Sequence, residues 1–371
     1  MKIIKLLFVI IFCSVCIDLY SIPSFQPNST VLVSENYDLQ GNELKLPTGV
    51  TLNFSGGAFI NGSIIGCDTK IIGKNYHIFD NVEIKGSWNV PLISSNMFKS
   101  FSKDNSLRNV IALTNKKINN KVIIEPGFYN FNFDKNEDTG LLIEDNTSLI
   151  LNGTLTITPN RFTNYQIIRV CGKNIQIKGS GSIVGDKNRH TGLKGEWGMG
   201  IEIYESYNVS ICNLKISNCW GDCIYVGHMS KKILIKNCEL YESRRQGISI
   251  TDGADIVITN CWIHNIFGTL PGFGIDVEPN KNCKVENVEI NNVTIYECNG
   301  GIELNGHADN SYVNNVKVRN CTLYNIQEKY LVQCYDCNKI SFENCTIDRN
   351  PKYVLFKDCL NAYIKNTKNH Y

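Results

Sequence analysis

Residues Ile233–Asn280 read ILIKNCELYESRRQGISITDGADIVITNCWIHNIFGTLPGFGIDVEPN, and this stretch decides the fold. It holds two successive turns of one repeat. ILIKNCEL (Ile233–Leu240) and IVITNCWI (Ile256–Ile263) share the pattern apolar-x-apolar-x-Asn-x-x-apolar. Two polar runs sit inside the repeat, Arg244-Arg245-Gln246-Gly247 and Gly274-Ile275-Asp276-Val277-Glu278-Pro279, and they are the first candidates for chemistry.

Outward from this stretch the unit returns as VSICNLKI (Val209–Ile216), VEINNVTI (Val288–Ile295), VKVRNCTL (Val316–Leu323) and ISFENCTI (Ile340–Ile347), with a degraded copy over Ala362–Thr367. Its asparagines fall at 213, 237, 260, 292, 320, 344 and 366, in steps of 24, 23, 32, 28, 24 and 22. A period in the low twenties without helical spacing points to a β-solenoid. Leucine-rich repeats share the period but need leucines at fixed offsets, which are missing. The longer steps are insertions, which in solenoids collect on one face, often the binding face.

Each unit carries a second strand about ten residues after its asparagine: Met199–Tyr204, Asp222–Gly227, Gln246–Thr251, Phe273–Glu278 and Gly300–Asn305. Stacked coils lie ~4.8 Å apart, so equivalent residues form ladders. Asparagine tolerates a left-handed corner, and its amide can bond the asparagine above and below. The next position holds Leu214, Cys238, Cys261, Val293, Cys321 and Cys345 and points inward. Sixteen cysteines in an exported chain would ordinarily imply disulfides. This spacing instead makes the ladder cysteines small buried hydrophobes.

The chain opens on Lys2 and Lys5 before an apolar run from Leu6 to Ile17, which reads as a signal peptide over residues 1–21. Cys16 is a candidate lipid-anchor cysteine, although Cys13-Ser14-Val15 match a lipobox poorly. No other stretch reads as membrane-spanning, so the protein is expected to be secreted, periplasmic or on the cell surface. Residues 22–100 alternate in short apolar pieces punctuated by Gly and Asn, a small amino-terminal β region. Asn105–Asn115 is the one helix candidate, capped by Asp104 or Asn105 and covering the open end of the solenoid over 101–371. The 37 basic and 35 acidic residues leave +2, which argues against a nucleic-acid partner. Monomer and homotrimer both remain open.

The Asn ladder, coil length and strand pattern resemble right-handed parallel β-helix proteins of the pectin lyase-like superfamily over about Asn115–Tyr371. That resemblance implies an all-β, right-handed parallel β-helix with a saccharide-binding groove on the Gly-Ile-x-Ile strand and the turn before it. The fold also carries hydrolases, lyases, epimerases and non-catalytic adhesins.

In that strand the branched residues point in and the alternate ones out. One outward column reads Glu202, Tyr225, Ser249, Asp276, Glu303; the next reads Tyr204, Gly227, Thr251, Glu278, Asn305. The turn leading in supplies Glu196, Trp220, Asp222, Arg244, Arg245 and Gln246, followed by the inserted loop Phe267–Phe273. Rings that stack on sugars, together with acids, amides and arginines that bond hydroxyls, suit a polysaccharide.

Asp222, Asp276, Glu278 and Glu303 are the candidate catalytic acids. Glu202, Trp220, Tyr225, Arg244, Arg245, Gln246 and Asn305 are expected to hold substrate. Asp276 and Glu303 should lie ~5 Å apart across coils, and Asp276 and Glu278 ~7 Å apart along one strand. Glycosidase carboxyl pairs span about 5 to 9.5 Å. The bland alternative is a solvated acidic ladder neutralised by Arg244 or Arg245 through Asp222 or Asp252. Asp276, Glu278, Glu303 and Asn305 are also hard oxygen ligands that suit calcium; no other cofactor is implied.

Family twenty-eight glycoside hydrolases resemble the chain at two strand entries. Their Asp-Asp-Cys entry is here Gly221-Asp222-Cys223, and their Gly-His-Gly entry is Arg245-Gln246-Gly247, with no Arg-Ile-Lys equivalent. Glycoside hydrolysis leads. A lyase or epimerase acting on a uronic-acid polymer and a non-catalytic glycan-binding solenoid are the alternatives. His228, His264 and His307 lie in separate turns without metal spacing, and His190 is expected to reach over the groove with Arg189.

Overall fold

The computed structural model describes residues 22–100, 107–348 and 354–369. The expected signal peptide and Cys16 lie outside these residues. Every strand pairing among the described residues is parallel, and three inward ladders define the solenoid. The first runs Ile168, Ile201, Ile224, Ile248, Ile275, Ile302, Val332. A second runs Ile175, Val209, Ile233, Ile256, Val288, Val316, Ile340. The third runs Ile183, Ile216, Leu240, Ile263, Ile295, Leu323, Ile347. All are buried. Branched side chains stacked coil on coil fill the axis, and each removes roughly 1.5–3 kcal/mol worth of apolar surface from water.

The corners are made by left-handed residues. The expected asparagines 213, 237, 260, 292, 320, 344 and 366 have φ between 52° and 61°. Their amides bond coil to coil: Asn237 to Asn213 at 3.0 Å, Asn260 to Asn237 at 3.2 Å and Asn292 to Asn260 at 2.9 Å. After the insertion the ladder slips, and Asn320 donates to Asn291 instead. Two further corners per coil are left-handed. One holds Asn174, Asn208, Lys232, Asp255, Asn287 and Asn315; the other holds Asn218, Glu242, Asn265, Glu297 and Asn325. The sequence pattern exposed only the first, because lysine and glutamate interrupt the others.

All fourteen cysteines of the described residues are free. Cys238, Cys261, Cys321 and Cys345 are buried in the ladder, as their spacing implied. The amino-terminal strands also stack in parallel, Thr30–Val33 on Thr51–Phe54 on Phe59–Gly73 on Phe79–Trp88. Their core is aromatic, built from Phe54, Phe59, Phe79 and Trp88. Leu92–Ser94 pairs with Asn120–Ile124, and that strand with Thr147–Leu151, so the stack passes directly into the main solenoid.

The helix is shorter than its sequence pattern. It spans Arg108–Ile111, a single turn, and the proposed caps Asp104 and Asn105 lie outside the described residues. Thr114 donates to the carbonyl of Ile111, and Asn115 bonds Trp88 and Lys117, so polar side chains take the backbone out of the helix. Leu107 and Val110 are buried, and Arg108 pairs with Asp138 at 3.0 Å. No helix of the described residues is long and apolar enough to cross a membrane.

Candidate active site

The first ladder places the candidate residues. Its outward neighbours form one continuous column, Arg169, Glu202, Tyr225, Ser249, Asp276, Glu303, Gln333, in register from coil to coil. Tyr204, Gly227, Thr251, Glu278 and Asn305 lie two residues further along the same strands. Asp222 and Gln246 precede each strand by two residues, on the same side. The strip therefore assembles as the repeat register requires, with Arg169 and Gln333 as members the sequence reading missed. Carrying the Ile-x-Val spacing one coil back, to Ile168-Arg169-Val170, finds Arg169.

Asp276 is 2% exposed and Glu303 9%. The Asp276 Oδ2 accepts from the Gln246 amide at 2.8 Å, while its Oδ1 is buried with no partner. Burial holds the Asp276 carboxyl well above the usual carboxylate range, and the charges of Glu278 and Glu303 push it further up. Burial likewise raises Glu303 to about 7, with Glu278 and Glu328 adding to the effect. Asn305 donates to Glu278 Oε1 at 3.1 Å, so it orients that carboxylate beside Glu303.

Asp222 is fully buried and pushed up to about 6 by burial, which the Arg245 guanidinium partly offsets. Gln246 donates its backbone N–H to Asp222 Oδ1 at 3.1 Å, and Arg245 Nη1 reaches Asp222 Oδ2 at 3.5 Å. Arg245 Nε also lies 3.3 Å from Glu196 Oε2. Of the ion pairs expected for the two arginines, Arg245–Asp222 forms. Arg244 instead lies over the Trp220 ring, 3.9 Å from its centroid, and donates to the Gly195 carbonyl at 2.6 Å.

Gln246 is fully buried, with its amide oxygen accepting from Phe273 N at 2.6 Å and its nitrogen serving Asp276. Both ends are spent inside the protein, so Gln246 braces Asp276 in place of the substrate contact expected of it. Trp220 is 9% exposed and packs on His190, with ring centroids 3.9 Å apart. His190 does not reach over the groove. Its imidazole is buried and bonded to Asp186 at 2.9 Å, and Tyr165 donates to the same carboxylate at 2.5 Å. Nothing in the local pattern marked Asp186 as the anchor of this loop.

Glu202 is ion-paired with Arg169. Tyr225 bonds Thr251 Oγ1 at 2.6 Å, and burial raises its phenol. The glycine at 221, where the hydrolase entry has its first aspartate, has a steric cause. A Cβ there would lie 2.3 Å from the Glu196 carbonyl oxygen, so no side chain fits. No cluster of three or more His, Cys, Asp or Glu able to hold a metal occurs among the described residues. A cavity of ≈ 460 Å³ lies far along the stack, against the helix, and its Arg108 is committed to Asp138.

Two uncharacterized proteins of Bacillus subtilis (strain 168) are similar in sequence. YclG is 34% identical over 181 residues, 43% of this chain and 31% of that protein. The prophage-derived YorA is 31% identical over 163 residues, 38% of this chain and 28% of that protein. The chain thus spans about a third of the length of the curated relatives it matches. A solved polygalacturonase from Erwinia carotovora ssp. carotovora overlays with a TM-score of 0.48 at 14% identity, covering 73% of this chain and 92% of that one. The family model described as a right-handed β-helix region matches residues 152–316 and 200–369. With three inward ladders, left-handed corners and that match in agreement, the chain belongs to the right-handed β-helix family.

Proposed function

We propose that this chain cleaves a polysaccharide by acid/base hydrolysis on the strip around Asp276, Glu278 and Glu303. The observation that carries the reading is one coil-to-coil pair, Asp276 and Glu303, in register on adjacent strands. Both carboxyls are raised by burial and by neighbouring negative charge, and one Asp276 oxygen is buried without a partner. Such a group keeps a proton near neutral pH, which a general acid needs.

Glu303 protonates the leaving glycosidic oxygen. Glu278, held by Asn305, acts as base or nucleophile from the neighbouring column. Asp276 beneath them sets the local charge, braced by Gln246, and Arg245 ties Asp222 to the rim at Glu196. Tyr225 lies along the polymer path, and Trp220, covered by His190 and Arg244, supports the rim from beneath. The site of action is outside the cytoplasm, a reading supported by the basic and apolar pattern of residues 1–21.

The test is release of reducing ends from a panel of neutral and acidic polysaccharides. Glu303→Gln and Asp276→Asn should each lower the rate by about 100-fold or more. Wild type that binds a polymer without ever shortening it would sink hydrolysis and leave a glycan-binding solenoid, the reading that the full burial of Asp222 favours.

A further inference from the structure

The charges along the strip constrain the substrate, and the argument rests on the hydrolytic reading above. Three arginines line it; two are ion-paired, and the third is held by a ring and a backbone carbonyl. Arg169 is ion-paired with Glu202. Arg244 is stacked on Trp220 and bonded to the Gly195 carbonyl. Arg245 bridges Glu196 and Asp222 at 3.3 Å and 3.5 Å. Arg245 is the cation whose charge acts on Asp276, and there it is opposed by Glu278, Glu303 and Asp222. Beyond burial, Glu278 and Glu328, both negative, raise Glu303.

A uronate residue laid over Asp276 and Glu303 would bring its own carboxylate beside Glu278, the carboxylate of the reading above, and above Asp222. It would need a cation to replace lost water, and the nearest guanidinium already serves two carboxylates. Like charges brought together in a desolvated contact oppose binding. A sugar carrying only hydroxyl or amide groups meets no such penalty. It also finds acceptors in the acids and a donor in the amide of Gln333, the column's next member.

We infer that the sugar residues bound over Asp276 and Glu303 are uncharged, and that a polyuronate is rejected there. Cleavage then proceeds as hydrolysis of a neutral glycan, without the uronate neutralisation that an eliminating lyase requires.

The full chain is assayed for reducing ends on polygalacturonate and on neutral arabinan, galactan, xylan and β-glucan, and for retardation in native gels containing each polymer. The expected result is release from at least one neutral polymer, at least about tenfold above polygalacturonate. Release from polygalacturonate equal to or above every neutral polymer overturns the charge inference while leaving hydrolysis intact. If no polymer yields ends, hydrolysis fails and gel retardation decides the rest. Retardation by a neutral polymer alone keeps the inference; retardation by polygalacturonate, or by none, overturns it.

Discussion

Two sets of outward residues use the same coil-to-coil stacking to opposite effect. At one corner Asn213, Asn237, Asn260 and Asn292 bond one another, each donating to the amide below. Beside the third ladder Tyr241, His264, Tyr296 and Tyr324 stack with centroids 4.8–5.1 Å apart and planes within 12°. Amides and rings are self-complementary, so repeating them at ~4.8 Å is favourable. Asp276 over Glu303 is the contrary case, since carboxylates accept hydrogen bonds and cannot donate when ionised. A column that opposes its own repeat is a poor building element, and that marks the acid strip as the part of the solenoid kept for chemistry.

The strongest way to break this comparison is through pH. Glu303 titrates at about 7 and Asp222 at about 6 in the folded chain, and Asp276 is raised as well. Their unfolded values lie near about 4. The folded state therefore holds protons that the unfolded chain has released. The stabilisation is complete below about pH 4 and is lost as pH rises through about 6 to 7. Glu303→Gln removes part of this dependence. Thermal melts should show the variant several degrees above wild type at about pH 8 and level with it at about pH 4. Equal melting at both values would mean that the column stores no repulsion.

The Asn ladder sharpens the comparison from the other side. Asn260 has φ 55° and both donates to Asn237 and accepts from Asn292. Asn260→Ala should cost about 1–3 kcal/mol in urea unfolding, combining a left-handed alanine with two lost amide bonds. Asn260→Gly should cost less, since glycine adopts that corner freely. The smallest effect belongs to the ring stack. Tyr296→Leu keeps an apolar side chain and should lose about 0.5–1.5 kcal/mol of ring–ring contact, measured the same way.

How much of this was legible in sequence follows from what repeats. The column Glu202, Tyr225, Ser249, Asp276, Glu303 could be read directly, because the Gly-Ile-x-Ile spacing sets both register and face. The inward cysteines followed from the same alternation. What escaped lay in turns, where no period operates. The helix shrank to Arg108–Ile111 because Thr114 and Asn115 bond the backbone themselves. His190 turned inward because Asp186, fully buried four residues earlier, captures its imidazole. Gln246 aligned with a groove position, yet its amide is consumed between Phe273 and Asp276.

The solenoid, its stacking register and the row of acids on one outward strip can all be read from the amino-acid order alone. Those are consequences of period-two alternation repeated every 22 to 32 residues, and such order is written locally. Which acids are buried, that Arg245 serves both Asp222 and Glu196, and that Gly221 admits no second aspartate became visible in the folded chain. These outcomes depend on how turns from different coils meet. Side-chain pairing and desolvation are properties of that meeting, and no single coil encodes them.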